Sequence, residues 1–360
     1  MKKNILSLSI QELKDFLLSH EMAAYRLDQL LEWIYLRRCV DFNQMLNLSK
    51  DFRSLLAEHF TITYPEIEHR EESSDGTVKY LIKLSDAKSI ETVWIPRHDK
   101  NRYTVCVSTQ VGCRMACRFC LTGQQKTERD LSAGEIVSQI TLLPEAEKVS
   151  NVVVMGMGEP FDNYENLMES LYLMTHPKLL ALAPRRITVS TSGLLPKIER
   201  FVQESKCRLA ISLNASNEKT REYLMPINRA YSIADLMKLV RRISKPDFPK
   251  LRQRDFYVTF EYILIENVND TEENARELLA LVKGLPVKIN LLLYNENPNV
   301  ADLKRPSQIR VERFQQVLMQ ARVLNFVRKS RGRDISAACG QLASLEKNNS
   351  TNTKQVFSNA

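Results

Sequence analysis

The feature that most constrains this chain is a recurring change of period. From residue 103 onward, apolar strand-like runs at 103–108, 151–156, 186–191, 207–213, 256–265 and 287–293 alternate with amphipathic helix patterns at 132–143, 163–174, 195–204, 232–243, 272–283 and 307–321. Parallel strands need a long connection, and a helix is the usual one, so this alternation predicts an α/β fold with a parallel sheet and crossover helices. Strands this apolar are expected to be buried on both faces. Six units fall short of a closed (βα)8 barrel. A partial, laterally open (βα)6 barrel is therefore the expected architecture, with a doubly wound open sheet as the alternative. At 360 residues and 44% apolar, the chain has material for one large core. The composition excludes collagen, coiled coil, low-complexity disorder and a disulfide scaffold.

Ahead of the repeat the pattern differs. Residues 1–60 read as a helical accessory domain, with Leu13, Phe16, Leu17, Leu27, Leu30, Leu31 and Ile34 recurring at three and four, and Ser7 or Ser9 as a helix cap. Residues 61–98 read as a short β lead-in containing Thr77-Val-Lys-Tyr-Leu-Ile-Lys-Leu84 and Glu91-Thr-Val-Trp-Ile-Pro96. The barrel core is expected over 99–335 and a C-terminal segment over 336–360, with a disordered polar tail from Asn348 to Ala360. No run reaches the roughly 18 apolar residues of a spanning helix. The opening apolar stretch stops at Gln11 and Glu12, which suits a helix rather than a leader. A cytoplasmic protein is expected, and the odd count of seven cysteines fits a reducing compartment.

Three of those cysteines lie in Gly112-Cys-Arg-Met-Ala-Cys-Arg-Phe-Cys120, directly after the first core strand. Three thiolates on one short loop can hold three corners of a cubic iron–sulfur cluster and leave one iron open for chemistry. A structural zinc is the competing reading, but it wants four closed ligands. Three buried thiols is the other. The ends of the core strands carry small and polar groups: Gly156-Met-Gly-Glu-Pro160, Ser190-Thr-Ser-Gly193, Ser212-Leu-Asn214 and Asn295. In a parallel barrel that end is where sites are built. Gly156 and Gly158 would let backbone approach a ligand, and Glu159 could accept from a ligand's ammonium group. Cys39 and Cys207 have no motif around them and read as core residues.

The cysteine loop resembles that of the radical S-adenosylmethionine (SAM) superfamily. Met155-Gly-Met-Gly-Glu-Pro160, Ser190-Thr-Ser-Gly193, Met225-Pro-Ile-Asn228, Asn267-Val-Asn-Asp270, Arg328-Lys-Ser-Arg-Gly332 and Ala337-Ala-Cys-Gly-Gln-Leu342 together resemble the RNA adenine methylases of the RlmN/Cfr family, from about Leu13 to Leu342. The resemblance implies a radical SAM barrel in which Cys113, Cys117 and Cys120 bind a 4Fe–4S cluster. It implies SAM, two molecules per turnover, held by Gly158, Glu159, Ser190, Ser212, Leu213, Asn214 and Asn295. It implies methylation of adenosine carbon 2 in 23S rRNA and tRNA. Cys339 would carry the methyl as S-methylcysteine, Cys106 would resolve the RNA adduct through a transient disulfide with Cys339, and Glu91 would accept a proton, with Cys106 competing for that role. The implied partners are RNA and a small reducing protein such as flavodoxin or thioredoxin, for a monomer with no membrane association.

Carbon-8 methylation of the Cfr type is the alternative chemistry. Asn214 stands where the family commonly has His, Lys126-Thr-Glu-Arg129 where it has Gly-Phe-Asn-Arg, Ser336 where an acidic residue is usual, and Leu293-Tyr294 where Pro-Trp is usual. These differences leave a divergent paralogue with another RNA target as a further alternative. A non-catalytic RNA-binding protein with structural zinc is the reading from a different class. The net charge of +8 suits a polyanionic substrate, with Arg37-Arg38, Arg185-Arg186, Arg241-Arg242 and the stretch Arg322, Arg328, Lys329, Arg331, Arg333 as candidate phosphate contacts.

Overall fold

The computed structural model describes residues 2–97, 102–245, 248, 258–297 and 299–343. The expected tail from 348 and the 98/99 boundary lie outside the described residues. The chain opens with a short strand β1 (Lys3–Asn4), helices α1 (Ile10–Ser19), α2 (Tyr25–Tyr35) and α3 (Lys50–His59), and a strand β2 (Phe60–Thr61) that pairs in parallel with β1. Ser9 is the α1 cap: its hydroxyl takes the Glu12 N–H while the Glu12 carboxylate takes the Ser9 N–H. Leu13, Leu17, Leu27, Leu30, Leu31 and Ile34 are buried, the stripe their spacing predicts.

Next come β3 (Glu66–Glu72), β4 (Val78–Lys83), β5 (Ser89–Arg97) and β6 (Arg102–Val107), each antiparallel to the one before. Two short strands, β7 (Gln110–Val111) and β8 (Arg129–Asp130), pair with each other and precede α4 (Ala133–Thr141). The repeat then runs β9 (Asn151–Val154), α5 (Tyr164–Thr175), β10 (Ile187–Thr191), α6 (Leu195–Glu204), β11 (Arg208–Ser212), α7 (Glu218–Leu224), α8 (Ile233–Ile243), β12 (Val258–Leu264), α9 (Glu272–Val282), β13 (Val287–Leu293), α10 (Gln308–Gln320) and β14 (Asn325–Arg328). One ten-stranded sheet results, in the order β14-β13-β12-β11-β10-β9-β6-β5-β4-β3. From β6 to β14 all neighbours are parallel. The six expected strand–helix units form. The sheet is wider than expected, because β14 adds a further parallel strand at one edge and the β3–β5 meander continues the other.

The expectation that the core strands are buried on both faces holds only in part: on the second face Cys106, Ala210 and Thr259 are buried, while Ser190, Ser212, Glu261 and Asn290 are half-buried. Burial alternates along β10, Ile187-Thr-Val-Ser-Thr191, and along β13, Val287-Lys-Ile-Asn-Leu-Leu-Leu293. One face carries Val105, Val152, Val189, Ile211, Phe260 and Ile289, all fully buried. Each contributes about 1.5–3 kcal/mol by leaving water. The register places Cys106, Val153, Ser190, Ser212, Glu261, Asn290 and Arg328 on the other face. Side chains from five adjacent strands or strand ends on that face (Met155, Ser190, Ser212, Glu261 and Leu292) border one cavity, so the sheet curves around it. The helices cover the convex side; the concave side sets the polar Ser190, Ser212, Glu261 and Asn290 among Cys106, Val153, Met155 and Leu292.

The N-terminal helices are fixed to this sheet through α4. The Ser132 hydroxyl donates to the Leu6 carbonyl at 3.0 Å. Gly134 faces the same carbonyl so closely that any Cβ there would collide with it.

Candidate active site

The pairing of β7 with β8 pinches together the ends of the segment that carries the three cysteines. Gly112 enters it at φ +80°, where a side chain would run into the Lys126 carbonyl. Cys113, Cys117 and Cys120 all open on the cavity, facing Gly156, Gly158 and Glu159 after β9, Ser190, Ser212 and Asn214. Burial pushes the Cys113 thiol up to about 12 and raises Cys117 and Cys120 as well. Such thiols stay protonated unless a cation holds them as thiolates. No three His, Cys, Asp or Glu side chains converge as ligands of a single ion would, among the described residues.

The glycines of the β9 loop are required by packing, and both also border the cavity. A Cβ on Gly156 would lie 2.6 Å from Ser108 Oγ, and one on Gly158, at φ +96°, would lie 2.6 Å from Gln110 Cβ. They let the loop pack against the β6–β7 connection. Glu159 is buried, and its carboxylate accepts from Ser192 N at 2.7 Å and Phe161 N at 3.1 Å. Burial raises this carboxyl, and those backbone donors oppose the rise.

Asn214 adopts φ +55°, a conformation asparagine reaches more cheaply than most residues. Its Oδ1 accepts from Ile263 N at 2.9 Å and its Nδ2 donates to Met225 Sδ at 3.3 Å, so it clasps the ends of β11 and β12. Leu213 is fully buried beside it, and its carbonyl accepts from Arg221. Arg221, on α7, is 1% exposed and was not anticipated from sequence. Its guanidinium donates to the carbonyls of Ser192 (2.8 Å), Leu213 (3.2 Å), Tyr231 (3.2 Å) and Ser212 (3.4 Å) and to Asn228 Oδ1 (3.0 Å). One side chain thus fixes the rims of β10 and β11. Burial lowers its pKa to about 10.

Residues 332–343 form a strap across the cavity mouth. Cys339 and Gly340 border the cavity. Asn295 Nδ2 donates to the Cys339 carbonyl at 3.2 Å, so Asn295 holds the strap and is not itself in the cavity wall. Leu121 N donates to the Gly340 carbonyl at 2.8 Å and the Thr122 hydroxyl to the Leu342 carbonyl at 2.6 Å. Upstream, Asp334 accepts from the Ser73 hydroxyl at 2.5 Å and Ser74 N at 3.0 Å in the β3–β4 turn. Cys339 is exposed, yet the walls around it raise its thiol to about 11. Cys106 is buried on the concave face, and burial chiefly, then the neighbouring Cys339, raises its thiol. The two cysteines therefore lie within electrostatic reach of each other.

Glu91 is also buried. Its Oε2 accepts from Ala343 N at 2.8 Å and its Oε1 lies 3.3 Å from Lys79 Nζ. Burial raises its carboxyl, with Lys79 opposing. Several candidate phosphate contacts are engaged locally: Arg37 with Glu32, Arg242 with Glu199, and Arg241 with the last carbonyls of α9. Cys39 and Cys207 are core residues, as expected.

A curved parallel sheet with three loop thiols at its C-terminal rim defines a radical SAM enzyme, and residues 107–279 match the family model of the Radical SAM superfamily. Residues 3–62 match the ribosomal RNA large subunit methyltransferase N-terminal domain. The dual-specificity RNA methyltransferase RlmN of Paracoccus denitrificans is 40% identical over 99% of this chain and 94% of its own length. That of Desulfosudis oleivorans is 42% identical over 95% and 91%. The crystal structure of a radical SAM methyltransferase from Sphaerobacter thermophilus superposes with a TM-score of 0.84 at 40% identity, covering 95% of this chain and 100% of that one. The chain belongs to the RlmN family of radical SAM RNA methyltransferases. A 4Fe–4S cluster and SAM are the cofactors of that class, and a loop that offers three separate thiolates into a polar-rimmed cavity fits both. Among the described residues no helix is long and apolar enough to cross a membrane.

Proposed function

We propose that this enzyme methylates carbon 2 of adenosine in 23S rRNA and tRNA, with the methyl carried on Cys339. The observation that carries the reading is the strap: it brings Cys339 to a cavity bordered by Cys113, Cys117 and Cys120, with Cys106 close behind. Carbon 2 of adenine is an electron-poor amidine carbon and does not attack a methyl donor as a nucleophile. A protein sulfur that first accepts the methyl and then delivers it as a carbon radical avoids the difficulty.

When bound, the cluster and SAM supply the methyl group and the radical that activates it. This chain's residues do the rest. Cys113, Cys117 and Cys120 hold the cluster. Gly158, Glu159, Ser190, Ser212 and Asn214 form the rim that would seat SAM, with Leu213 buried behind it; Arg221 keeps that rim in place, and Asn295 positions Cys339. Cys106 would attack the Cys339 sulfur as that sulfur's bond to the methylene carbon breaks; the carbon would take a proton to complete the methyl group, the odd electron of the adduct would leave to the bound redox centre, and a disulfide would remain. A dithiol partner of the thioredoxin type would then reduce it, and a flavodoxin-type protein would supply electrons to the cluster. Glu91 would take the carbon-2 proton, and its raised carboxyl suits a base that must also release it. The same carboxylate holds Ala343, so proton transfer and strap position are joined. RNA would bind a monomer, with the adenine flipped from its stack to reach the cavity.

The test is anaerobic incubation of the reconstituted enzyme with SAM, a reductant and ribosomal and transfer RNA from a strain lacking the modification, followed by digestion and mass spectrometry. 2-Methyladenosine is expected. 8-Methyladenosine alone would overturn the carbon-2 reading.

A further inference from the structure

Glu261 lies within β12, between Ser212 of β11 and Asn290 of β13 in the register. An acidic side chain on a sheet face this enclosed is costly, and the scheme above gives it no work. It borders the same cavity as Cys339, and its charge is felt at the Cys339 thiol. Asn290 Nδ2 donates to its Oε1 at 2.8 Å, which fixes the carboxyl and directs the second oxygen away from that contact. Lys288 and Arg328 act on it through space.

We propose that the Glu261 carboxyl, steadied by Asn290, reads the Watson–Crick edge of the target adenine, donating to N1 and accepting from the N6 amine. The proposal rests on the carbon-2 reading. Carbon 2 must face the methyl on Cys339, and the two nitrogens bonded to it, N1 and N3, both accept; only N1 has the N6 amine beside it. A group beside Cys339 therefore meets a ring nitrogen that only accepts, and must offer a hydrogen. A carboxylic acid does so and presents its carbonyl oxygen alongside, matching adenine's acceptor and donor. Burial outweighs the nearby cations and raises this carboxyl, which favours the acid form. Guanine presents the reverse pattern and carries an amine on carbon 2. The hydrogen bond to N1 also draws electron density from carbon 2, where a carbon radical adds most readily to an electron-poor ring.

The experiment compares wild type, Glu261→Ala and Glu261→Gln as cluster-loaded enzymes, on RNA stem-loops bearing adenosine or 1-deazaadenosine at the target. Glu261→Ala is expected to keep its iron and still form S-methylcysteine at Cys339, yet to methylate adenosine RNA about 10–100-fold more slowly. Glu261→Gln keeps a donor and an acceptor and is expected to retain most of the activity. The deaza substrate should be poor for wild type and little worse for Glu261→Ala, because each change removes the same contact. Wild-type rates from Glu261→Ala, independent multiplication of the two penalties, or loss of S-methylcysteine in Glu261→Ala would overturn the assignment; the last would make Glu261 part of the SAM site. Absence of 2-methyladenosine from the wild-type reaction would overturn the carbon-2 reading itself.

Discussion

Arg221 offers the sharpest test of how the site is held. In Arg221→Met the apolar stem is kept and the guanidinium is lost. The carbonyls of Ser192, Leu213, Tyr231 and Ser212, with Asn228 Oδ1, then lose their shared donor. Each buried acceptor left unpaired costs about 1–3 kcal/mol. Two gains offset part of the sum: water entering the gap, and removal of a cation whose own burial is unfavourable, as its lowered pKa shows. A net loss of about 3 kcal/mol is expected, at the low end of what breaking a buried charge network costs. With an unfolding entropy of about 2.1 cal/mol/K per residue, a chain of this length would lose roughly 4 °C in melting temperature. Arg221→Lys should lose nearly as much, since a point charge cannot serve acceptors spread around a fork. SAM affinity should fall in both variants, because Ser192 and Ser212 border the cavity. Anaerobic calorimetry and equilibrium dialysis with SAM would measure these effects. A melting temperature within about 1 °C of wild type, with unchanged SAM binding, would refute the claim that Arg221 supports the rim.

Cys339→Ala should load iron as wild type does and yet leave RNA unmethylated; product from that variant would remove Cys339 from the pathway. Gly134→Val should destabilise the enzyme by about 1–3 kcal/mol, because its side chain collides with the Leu6 carbonyl at the seat of the N-terminal helices, as a urea titration would show. Asp334 is held down to about 2 by the Ser73 hydroxyl and Ser74 N–H. Its folded pKa lies below the unfolded value near 3.9, so the tie is intact above that value and is lost as pH falls through about 2. The protection of residues 330–343 against hydrogen exchange, taken relative to the chemical rate at each pH, should therefore be high at about pH 5 and fall toward pH 2, and Asp334→Asn should show the low protection already at neutral pH. Lys79→Met should raise the Glu91 carboxyl further, which a shift of the pH–rate profile to higher pH would register.

Much of this arrangement was legible in the residues. Six strands and six helices announced themselves through a change of period, and the cysteine spacing pointed to one loop. What escaped detection did so for physical reasons. β14 is four residues long and α7 seven, too short for either period to register. Arg221 reads in sequence like any surface cation on a short helix; only burial distinguishes it. The half-open face was visible in the alternation of Ile187-Thr-Val-Ser-Thr191 and Val287-Lys-Ile-Asn290, and was outweighed by a general expectation for parallel sheets. Glu261 sits in an otherwise apolar run, where a lone acid is easily taken for a flaw in a strand. The strap's ties from Asp334 to Ser73 and from Ala343 to Glu91 join residues more than 250 positions apart, and no local pattern could announce them.

Those ties also impose an order on biosynthesis. The strap's anchors at Ser73, Ser74, Asp75, Glu91, Leu121, Thr122 and Asn295 all leave the ribosome before Cys339 does. The sheet and the thiol loop can assemble while the nascent chain is still attached, and the sulfur proposed to carry the methyl is delivered last, to a finished pocket. An incomplete polypeptide could then load its metal centre yet would lack the sulfur proposed to carry the methyl, so a translation product cut short would leave RNA unmethylated.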